Sequence, residues 1–243
     1  MGNIILAVAL LPGAIFGQTQ KKGPSAETRL IKELEKAGAL VGKGVFVKGA
    51  ISVIFEKDCT DELLATTAKL KNLRELLIEK SPKVTDKGLE ALRGHEKLTI
   101  FVLRGTKVSK AGATAIASLP SLTSLEVGET TLDVAAVRRL AASPKLTVLA
   151  LINTKLEDDD LAGLAGHATL QLLSLRNTPI KGNGLKHLQG IASLKEIDLV
   201  GTKASKRQIE NLKEAIPGLV VDGKATFLGI FRVKAADLKA KSA

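Results

Sequence analysis

The sequence predicts an α/β solenoid, with parallel strands on its concave face and helices on its convex face. A leucine opens each of six blocks of 24 or 25 residues. Apolar residues superimpose three and five positions after that leucine, and a threonine or serine stands eight positions after it. Self-similarity at this period is typical of stacked repeats, which bury their apolar faces against each other. The opening residues are Leu73, Leu98, Leu122, Leu146, Leu170 and Leu194.

Each block contains two different apolar periods. Residues such as Leu125 and Val127 alternate, which predicts a short strand whose inward side chains recur every second residue. A later pair such as Leu161 and Leu164 is spaced by three, which places both side chains on one face of a helix. Each unit is therefore predicted to run strand, turn, helix, and the return places the next strand parallel to the last.

A degenerate unit precedes the six clear ones. Val53 and Phe55 match the strand positions, and the triplet C-T-D at 59–61 echoes V-T-D at 84–86. This alignment places Cys59 in the core and predicts that Thr85 or Asp86 caps a helix N-terminus. One cysteine also excludes an internal disulfide framework.

Both ends of the repeat array carry segments that we expect to cap it. The spacing at 27–36 predicts a helix that stops at Gly38. Two hairpins are predicted, one joining 45–47 to 51–55 and one joining 219–221 to 227–233. The predicted organisation is a signal peptide at 1–17, a linker at 18–26, an N-terminal cap at 27–49, one degenerate and six clear repeats at 50–218, and a C-terminal cap with a basic tail at 219–243.

The first seventeen residues predict the cellular location. Residues 4–11 are uninterruptedly apolar, Pro12 and Gly13 follow, and the chain turns polar after Gly17. This pattern is typical of a secretory signal peptide, and it is too short for a membrane span. We expect export to the periplasm, the cell envelope or the outside; the alternative is a buried N-terminal segment of a cytoplasmic protein. No later stretch is long and apolar enough to cross a membrane.

The strand consensus L-x-x-L-x-L-x-x-T resembles the leucine-rich repeat family over 73–218. The recurring polar residue is usually Asn or Cys in that family and is Thr in many bacterial members. The phrase V-T-D-K-G-L at 84–89 is similar to the helix start of bacterial and F-box-associated repeats. The resemblance implies a right-handed β-α superhelix with a structural ladder of hydroxyl groups, since a threonine hydroxyl both donates and accepts. The ladder residues are Thr106, Thr130, Thr154, Thr178 and Thr202.

Charge and composition disfavour a nucleic-acid partner. The net charge is +11, but residues 50–218 hold 24 Lys and Arg against 20 Asp and Glu, so the basic excess lies mainly at the ends. The chain has no Trp or Tyr for base stacking.

No catalytic or metal-binding motif is present, so we expect neither enzymatic activity nor a cofactor. His95, His167 and His187 lie in separate blocks. The acidic run at 157–160 occupies a helix start, where carboxylates favour the positive end of the helix dipole, and it lacks the spacing of a calcium loop. Gly184 aligns with Gly88 and Gly112 as part of the repeat and not as a phosphate loop.

The concave face is the predicted binding surface. Offsets one, two, four, six and seven should point to that side, where two apolar clusters facing solvent flank an acidic rung. Exposed apolar groups on a sheet face indicate a partner, although β-branched residues also favour strands in general. The face offers roughly 600 Å², less than the ~800 Å² per side of a standard interface. The candidate contact residues are Leu77, Ile100, Val102, Arg104, Glu126, Val148, Ile152, Leu172 and Arg176.

These observations predict a monomeric, non-enzymatic scaffold that binds an unidentified protein or peptide. One alternative is a substrate-recognition subunit of an intracellular complex, as F-box repeat proteins are, although no adaptor-binding helical module precedes the repeats. Another is a cell-envelope polysaccharide binder, against which stands the lack of Trp and Tyr for stacking on sugars.

Overall fold

The computed structural model describes residues 24–43, 50–130, 132 and 134–222. They form an α/β arrangement around one nine-stranded sheet, whose strands lie side by side in sequence order. The first strand pairs antiparallel with the second, and every later pair is parallel. Helices connect the parallel strands, an arrangement compatible with a solenoid.

The helices and strands alternate along the repeats. The strands are β1 (Leu40–Lys43), β2 (Ile51–Phe55), β3 (Leu73–Ile78), β4 (Ile100–Arg104), β5 (Ser124–Gly128), β6 (Val148–Ala150), β7 (Leu172–Ser174), β8 (Glu196–Asp198) and β9 (Val220–Val221). The α-helices are α1 (Ala26–Lys36), α2 (Asp61–Thr67), α3 (Asp86–Glu90), α4 (Lys110–Ala117), α5 (Val134–Ala141) and α6 (Lys206–Ala215). Two 3₁₀ helices follow β6 and β7. They are Asp158–Leu164 after β6 and Asn183–Leu188 after β7.

The main core lies between the helices and one face of the sheet. Leu76, Phe101, Leu125, Leu149 and Leu173 are partners on successive strands, and all five are completely buried. This straight column confirms that the repeats stack in register. Burying each such side chain contributes about 1.5–3 kcal/mol, so the stacked columns hold neighbouring repeats together.

The two late helices differ from the predicted α-helical form. Leu161 and Leu164, like Leu185 and Leu188, are buried on 3₁₀ helices. A 3₁₀ helix has three residues per turn, so a spacing of three stacks both side chains on one face. The apolar spacing therefore predicts which residues share the buried face, but it does not distinguish the two helix types.

Aspartate side chains at the helix starts form hydrogen bonds with the backbone of the next repeat, and we call this set of bonds the staple. The Asp61 carboxylate accepts from the backbone N–H of Thr85 at 2.8 Å, and Asp86 accepts from Ser109 N–H at 3.0 Å. Asp158 accepts from the N–H groups of Lys181, Gly182 and Gly184, at 3.0, 2.9 and 2.8 Å. These bonds cross from one repeat to the next.

The acidic run at 157–160 thus has two roles where one was expected. Glu157 and Asp160 form a capping box, which is the helix-capping role that the sequence predicts. Asp158 instead binds the following repeat, because its carboxylate points at the N–H groups that start the next turn. The N-cap prediction is confirmed at Thr85, whose side chain accepts from Lys87 N–H at 3.3 Å.

The turn after each strand passes through a left-handed residue. This residue is seven positions after the opening leucine in all six clear repeats, with φ between 43° and 78°. It lies in the turn beyond the strand, so strand alternation does not decide the side to which offset seven points. The residues are Lys80, Gly105, Glu129, Asn153, Asn177 and Gly201.

The threonine that follows closes the turn within its own repeat. The hydroxyls of Thr154, Thr178 and Thr202 donate to the carbonyl oxygen three residues earlier, at 3.1, 2.7 and 2.7 Å. Thr106 is buried, but its Oγ1 has no hydrogen-bond partner among the described residues. Thr130, at the same offset, is half-buried.

The N-terminal cap agrees with prediction in its helix and differs in its hairpin. Helix α1 spans Ala26–Lys36, and Gly38 follows with a φ of +91°. The antiparallel partner of β2 is Leu40–Lys43 rather than 45–47, since Leu40 pairs with Ile54 and Lys43 with Ile51. Residues 45–47 lie outside the described residues, as do the predicted signal peptide at 1–17, most of the linker and the predicted strand 227–233. Strand β9 continues the parallel array.

Candidate binding face

The sheet face opposite the main core, here called the outer sheet face, carries two long rows of side chains. The register places the residues of each row on neighbouring strands. The central row, from β2 to β8, is Ile54, Leu77, Val102, Glu126, Ala150, Ser174 and Asp198. The flanking row is Ser52, Glu75, Ile100, Ser124, Val148, Leu172 and Glu196.

The predicted contact residues all lie on this face. Leu77, Ile100, Val102, Glu126, Val148 and Leu172 belong to the two rows. Ile152 packs against the apolar residues of the rows. Arg104 and Arg176 form a third position along the strands and bind the carboxylates of Glu126 and Asp198. Strand alternation explains this grouping, because the same offset in each repeat points the same way.

Apart from Leu172, the apolar side chains of the rows are buried, which corrects the expectation that they face solvent. Every residue of the central row is between 0% and 4% exposed, and Ile100 and Val148 are 7% and 6% exposed. Ile54, Leu77, Val102, Val148 and Ala150 form a second apolar cluster, separate from the main core. Leu172 and Ile152 are partly buried against it.

Arg104 on β4 forms ion pairs with Glu126 on β5 and with Glu79, which directly follows β3. Its Nε and Nη2 donate to the Glu126 carboxylate at 2.5 and 2.9 Å, and its Nη1 binds Glu79. Burial would lower the pKa of Arg104, but the Glu126 and Glu79 carboxylates outweigh it and raise that pKa. The side chain of Glu126 is only 2% exposed, so Arg104 supplies the charge that a buried carboxylate requires.

A glycine lies beside this ion pair on the neighbouring strand. Gly128 is the partner of Arg104 on β5, and a Cβ there would lie 3.6 Å from Arg104 Cγ and 3.1 Å from the Ile152 carbonyl oxygen. The contact with Arg104 would be an ordinary one, whereas the contact with the Ile152 carbonyl oxygen would be tight. Sequence reasoning missed this contact, because it depends on the register of two strands.

The far end of the face repeats the pairing of cation and carboxylate. Arg176 Nε donates to Asp198 Oδ2 at 2.8 Å, and Ser174 Oγ donates to the same oxygen at 3.2 Å. Glu196 is buried as well, but its Oε1 has no hydrogen-bond partner within the described part of the chain. At the near end, Ser52 Oγ donates to Glu75 Oε2 at 2.5 Å.

The outer sheet face is therefore acidic in a basic protein. It carries five carboxylates, of which those of Glu79, Glu126 and Asp198 pair with the guanidinium groups of Arg104 and Arg176. The other two are Glu75 and Glu196. Sequence reasoning counted only Glu126 among these acids. The others stand at offsets two, four or six of their blocks, so comparing those offsets across all the repeats would have found them.

The remaining reactive side chains have structural roles. Cys59 is completely buried, as predicted, and burial raises the pKa of its thiol to about 12. His167 Nδ1 accepts from the N–H groups of Thr169 and Leu170 at 3.2 and 3.1 Å, and burial lowers the pKa of this imidazole. His95 Nε2 lies 3.0 Å from the Leu70 carbonyl oxygen.

The described residues, 24–43, 50–130, 132 and 134–222, offer neither a metal site nor a membrane span. Within these ranges, no three His, Cys, Asp or Glu side chains lie close enough together to hold a metal ion. None of the described helices is both long and apolar enough to span a membrane.

Comparison with known proteins adds no relative: no protein-family model matches the chain, and none of the curated proteins matches it either.

Proposed function

We propose that this protein is a non-enzymatic scaffold of the leucine-rich repeat type, which binds an extended peptide segment along the outer sheet face. The observation that carries the proposal is one surface on which an apolar cluster is bordered by five carboxylates and two guanidinium groups. The ligand that fits this surface alternates apolar with basic side chains.

The leucine-rich repeat assignment is supported by the straight columns. A block of 24 or 25 residues with in-register parallel strands, buried leucines and a turn threonine is what that architecture needs. The proposal includes the right-handed superhelix, with the outer sheet face as its concave side.

The dimensions favour a peptide over a globular partner. Strands β2 to β8 are separated by six spacings of about 4.8 Å, so the rows extend over roughly 29 Å. An extended peptide of about nine residues covers that length, at ~3.3 Å per residue. A globular partner would need ~800 Å² of surface, which the rows do not provide.

The charges favour a basic peptide. Glu196 Oε1 is buried without a hydrogen-bond partner among the described residues. A buried carboxylate oxygen in this condition is costly unless a donor reaches it. A Lys or Arg side chain of the ligand would supply the donor, and each apolar ligand side chain buried beside it would add about 1.5–3 kcal/mol.

Titration with labelled synthetic peptides tests the proposal. Two twelve-residue peptides share the same alternating apolar residues and carry either Lys and Arg or Asp and Glu between them. Fluorescence anisotropy, extended to millimolar protein, should show at least tenfold tighter binding of the basic peptide. Equal affinity for the two peptides, or binding of neither at the highest concentration, contradicts the proposal.

Two variants locate the binding on the outer sheet face. Glu196→Gln should weaken the binding of the basic peptide. Glu210→Gln on helix α6, where the Glu210 side chain is 62% exposed, is the matched control. Ile152→Glu should weaken both peptides, because it places a carboxylate beside the apolar cluster. Circular dichroism checks that each variant folds.

We also propose that the protein is exported, on the basis of the apolar run at 4–11 and the polar switch after Gly17. Mass spectrometry of the mature N-terminus tests this part. Cleavage near Gly17 supports export, and an intact N-terminus in cells contradicts it.

A further inference from the structure

The demand of the outer sheet face for a cation is concentrated at Glu196 on β8. Three of the five carboxylates of this face bind a guanidinium group, and that of Glu75 accepts a hydrogen bond from Ser52. Glu196 differs from these four, because it is only 7% exposed and its Oε1 has no hydrogen-bond partner within the described ranges. A buried carboxylate oxygen without a donor is costly. A cationic ligand group therefore gains most at this one point of the face.

Apolar side chains flank Glu196 on both neighbouring strands. Leu172 on β7 and Val220 on β9 are its partners in the register. Leu172 is partly buried, whereas Val220 is 51% exposed. Val200, whose N–H donates to Asp198 Oδ1 at 3.1 Å, is 39% exposed. A side chain with an aliphatic stem and a cationic end suits this place, because the stem covers apolar surface while the charge reaches the carboxylate.

We infer that one cationic side chain, near one end of the peptide, is seated at Glu196 between Leu172 and Val220 and fixes the register of the whole ligand. This inference rests on the proposed function, and it specifies which basic residue of the ligand matters. The cation belongs to an end of the peptide and not to its middle, since β8 is the second-last strand of the sheet. We call its place on the ligand the anchor position.

The spacing of the strands then predicts which residues of the peptide must be apolar. Side chains on one side of an extended peptide recur about every 6.6 Å, and neighbouring strands are about 4.8 Å apart. A ligand side chain two residues from the anchor position therefore lies between β7 and β6. The side chain four residues away lies near β5, the one six residues away lies over β4, and the one eight residues away lies between β3 and β2.

Three of these four places are apolar and one is polar. The place between β7 and β6 is formed by Leu172 and Val148, the place on β4 by Ile100 and Val102, and the place between β3 and β2 by Leu77 and Ile54. At β5 the rows carry Ser124 and Glu126 instead. The predicted ligand thus has a cation at the anchor position, apolar residues two, six and eight positions away, and a polar residue four positions away.

Three labelled peptides of nine residues and identical composition test the inference on the wild-type protein. The first has lysine at position 9, apolar residues at 7, 3 and 1 and glutamine at 5, and the second has this order reversed. The third exchanges the lysine and the glutamine of the first, so that the cation stands in the middle. Fluorescence anisotropy should show that one of the two end-lysine peptides binds about tenfold more tightly than the middle-lysine peptide. Equal affinity for all three overturns the inference.

Two variants connect this preference with Glu196. Glu196→Gln should abolish the preference for lysine at the end, whereas Glu210→Gln should keep it. Val220→Lys should abolish it as well, because the new ammonium group lies on the strand beside Glu196 and supplies the missing charge. Val220→Gln is the uncharged control and should keep the preference. Val220→Lys leaves the carboxylate in place, so it decides the question if circular dichroism shows that Glu196→Gln is unfolded. Full retention of the preference in Val220→Lys overturns the inference.

The two proposals fail in different ways. If all three peptides bind the wild type equally, the peptide site stands and the anchor position is wrong. If no peptide binds, the peptide site itself is wrong.

Discussion

Arg104 and Glu126 form a two-point ion pair across strands β4 and β5, with Nε and Nη2 of the guanidinium 2.5 and 2.9 Å from the two carboxylate oxygens. The Glu126 side chain is 2% exposed and the Arg104 side chain 29%. The pair therefore couples a buried charge to a partner that still reaches water. Its geometry makes the stability of the face sensitive to either residue.

Arg104→Met should destabilise the protein by about 3 kcal/mol, because it leaves the Glu126 carboxylate buried without its counter-charge. The partial exposure of Arg104 puts the effect at the low end of that range. Urea unfolding followed by circular dichroism measures it. Arg104→Met with Glu126→Leu should cost less than the single change. A double variant that is less stable than the single one would show that the pair has a different role.

Thr178→Val should destabilise by about 1–2 kcal/mol, since the buried hydroxyl donates to the Leu175 carbonyl oxygen at 2.7 Å. Thr106 provides the matched control at the same offset, because its buried Oγ1 has no partner in the described residues. Thr106→Val should be neutral or slightly stabilising. Thermal unfolding of both variants distinguishes the two sites, and equal losses would argue against the turn hydrogen bond.

Gly112→Ala should destabilise by about 1–3 kcal/mol through overpacking. A Cβ at 112 would lie 2.3 Å from Asp86 Oδ1 and 2.7 Å from Leu89 Cδ1, and so displace the staple between two helix starts. Gly190→Ala is the control, since a Cβ there meets no atom within 4 Å, and it should change stability by no more than about 0.5 kcal/mol. Chemical unfolding compares the two. If both changes are harmless, the staple does not need the glycine.

Asp61 should make stability depend on pH in the acid range. Its slight burial would raise the pKa, but hydrogen bonds from Thr85 and Gly88 outweigh this and lower the pKa of Asp61. A lowered folded-state pKa means that the contribution is complete above the unfolded value of about 3.9 and is lost as pH falls through the folded value. The Asp61→Asn variant should have a lower free energy of unfolding than the wild type near neutral pH. Its free energy of unfolding should also fall less steeply as the pH is lowered. Unfolding curves from pH 2 to pH 7 test this, and parallel profiles for both proteins would contradict it.

Cys59 should resist thiol reagents while the protein is folded. The residue is completely buried, and burial raises its thiol pKa to about 12, so almost no thiolate forms at neutral pH. Ellman's reagent at pH 8 should react slowly with the native protein and rapidly in denaturant. Rapid stoichiometric reaction of the folded protein would show that the first repeat opens locally.

Several features of the fold could be predicted because they repeat along the chain. The columns of Leu76, Phe101 and Leu125 follow from a period visible in the residues themselves, and the cap at Thr85 follows from local helix-start chemistry. The nine candidate residues share one face because strand alternation is a local rule. Their burial could not be predicted in this way, since it is set by tertiary packing and not by spacing along the chain.

The sequence by itself determined the repeat, the order of strand and helix, and the direction of each strand side chain, because these depend on spacing along the chain. Only the tertiary structure decided that Asp158 binds Gly184, that Gly128 lies opposite Arg104, and that the acidic outer sheet face is buried. Such contacts join residues more than twenty positions apart. Their distances are set by how neighbouring repeats stack, which no single repeat contains.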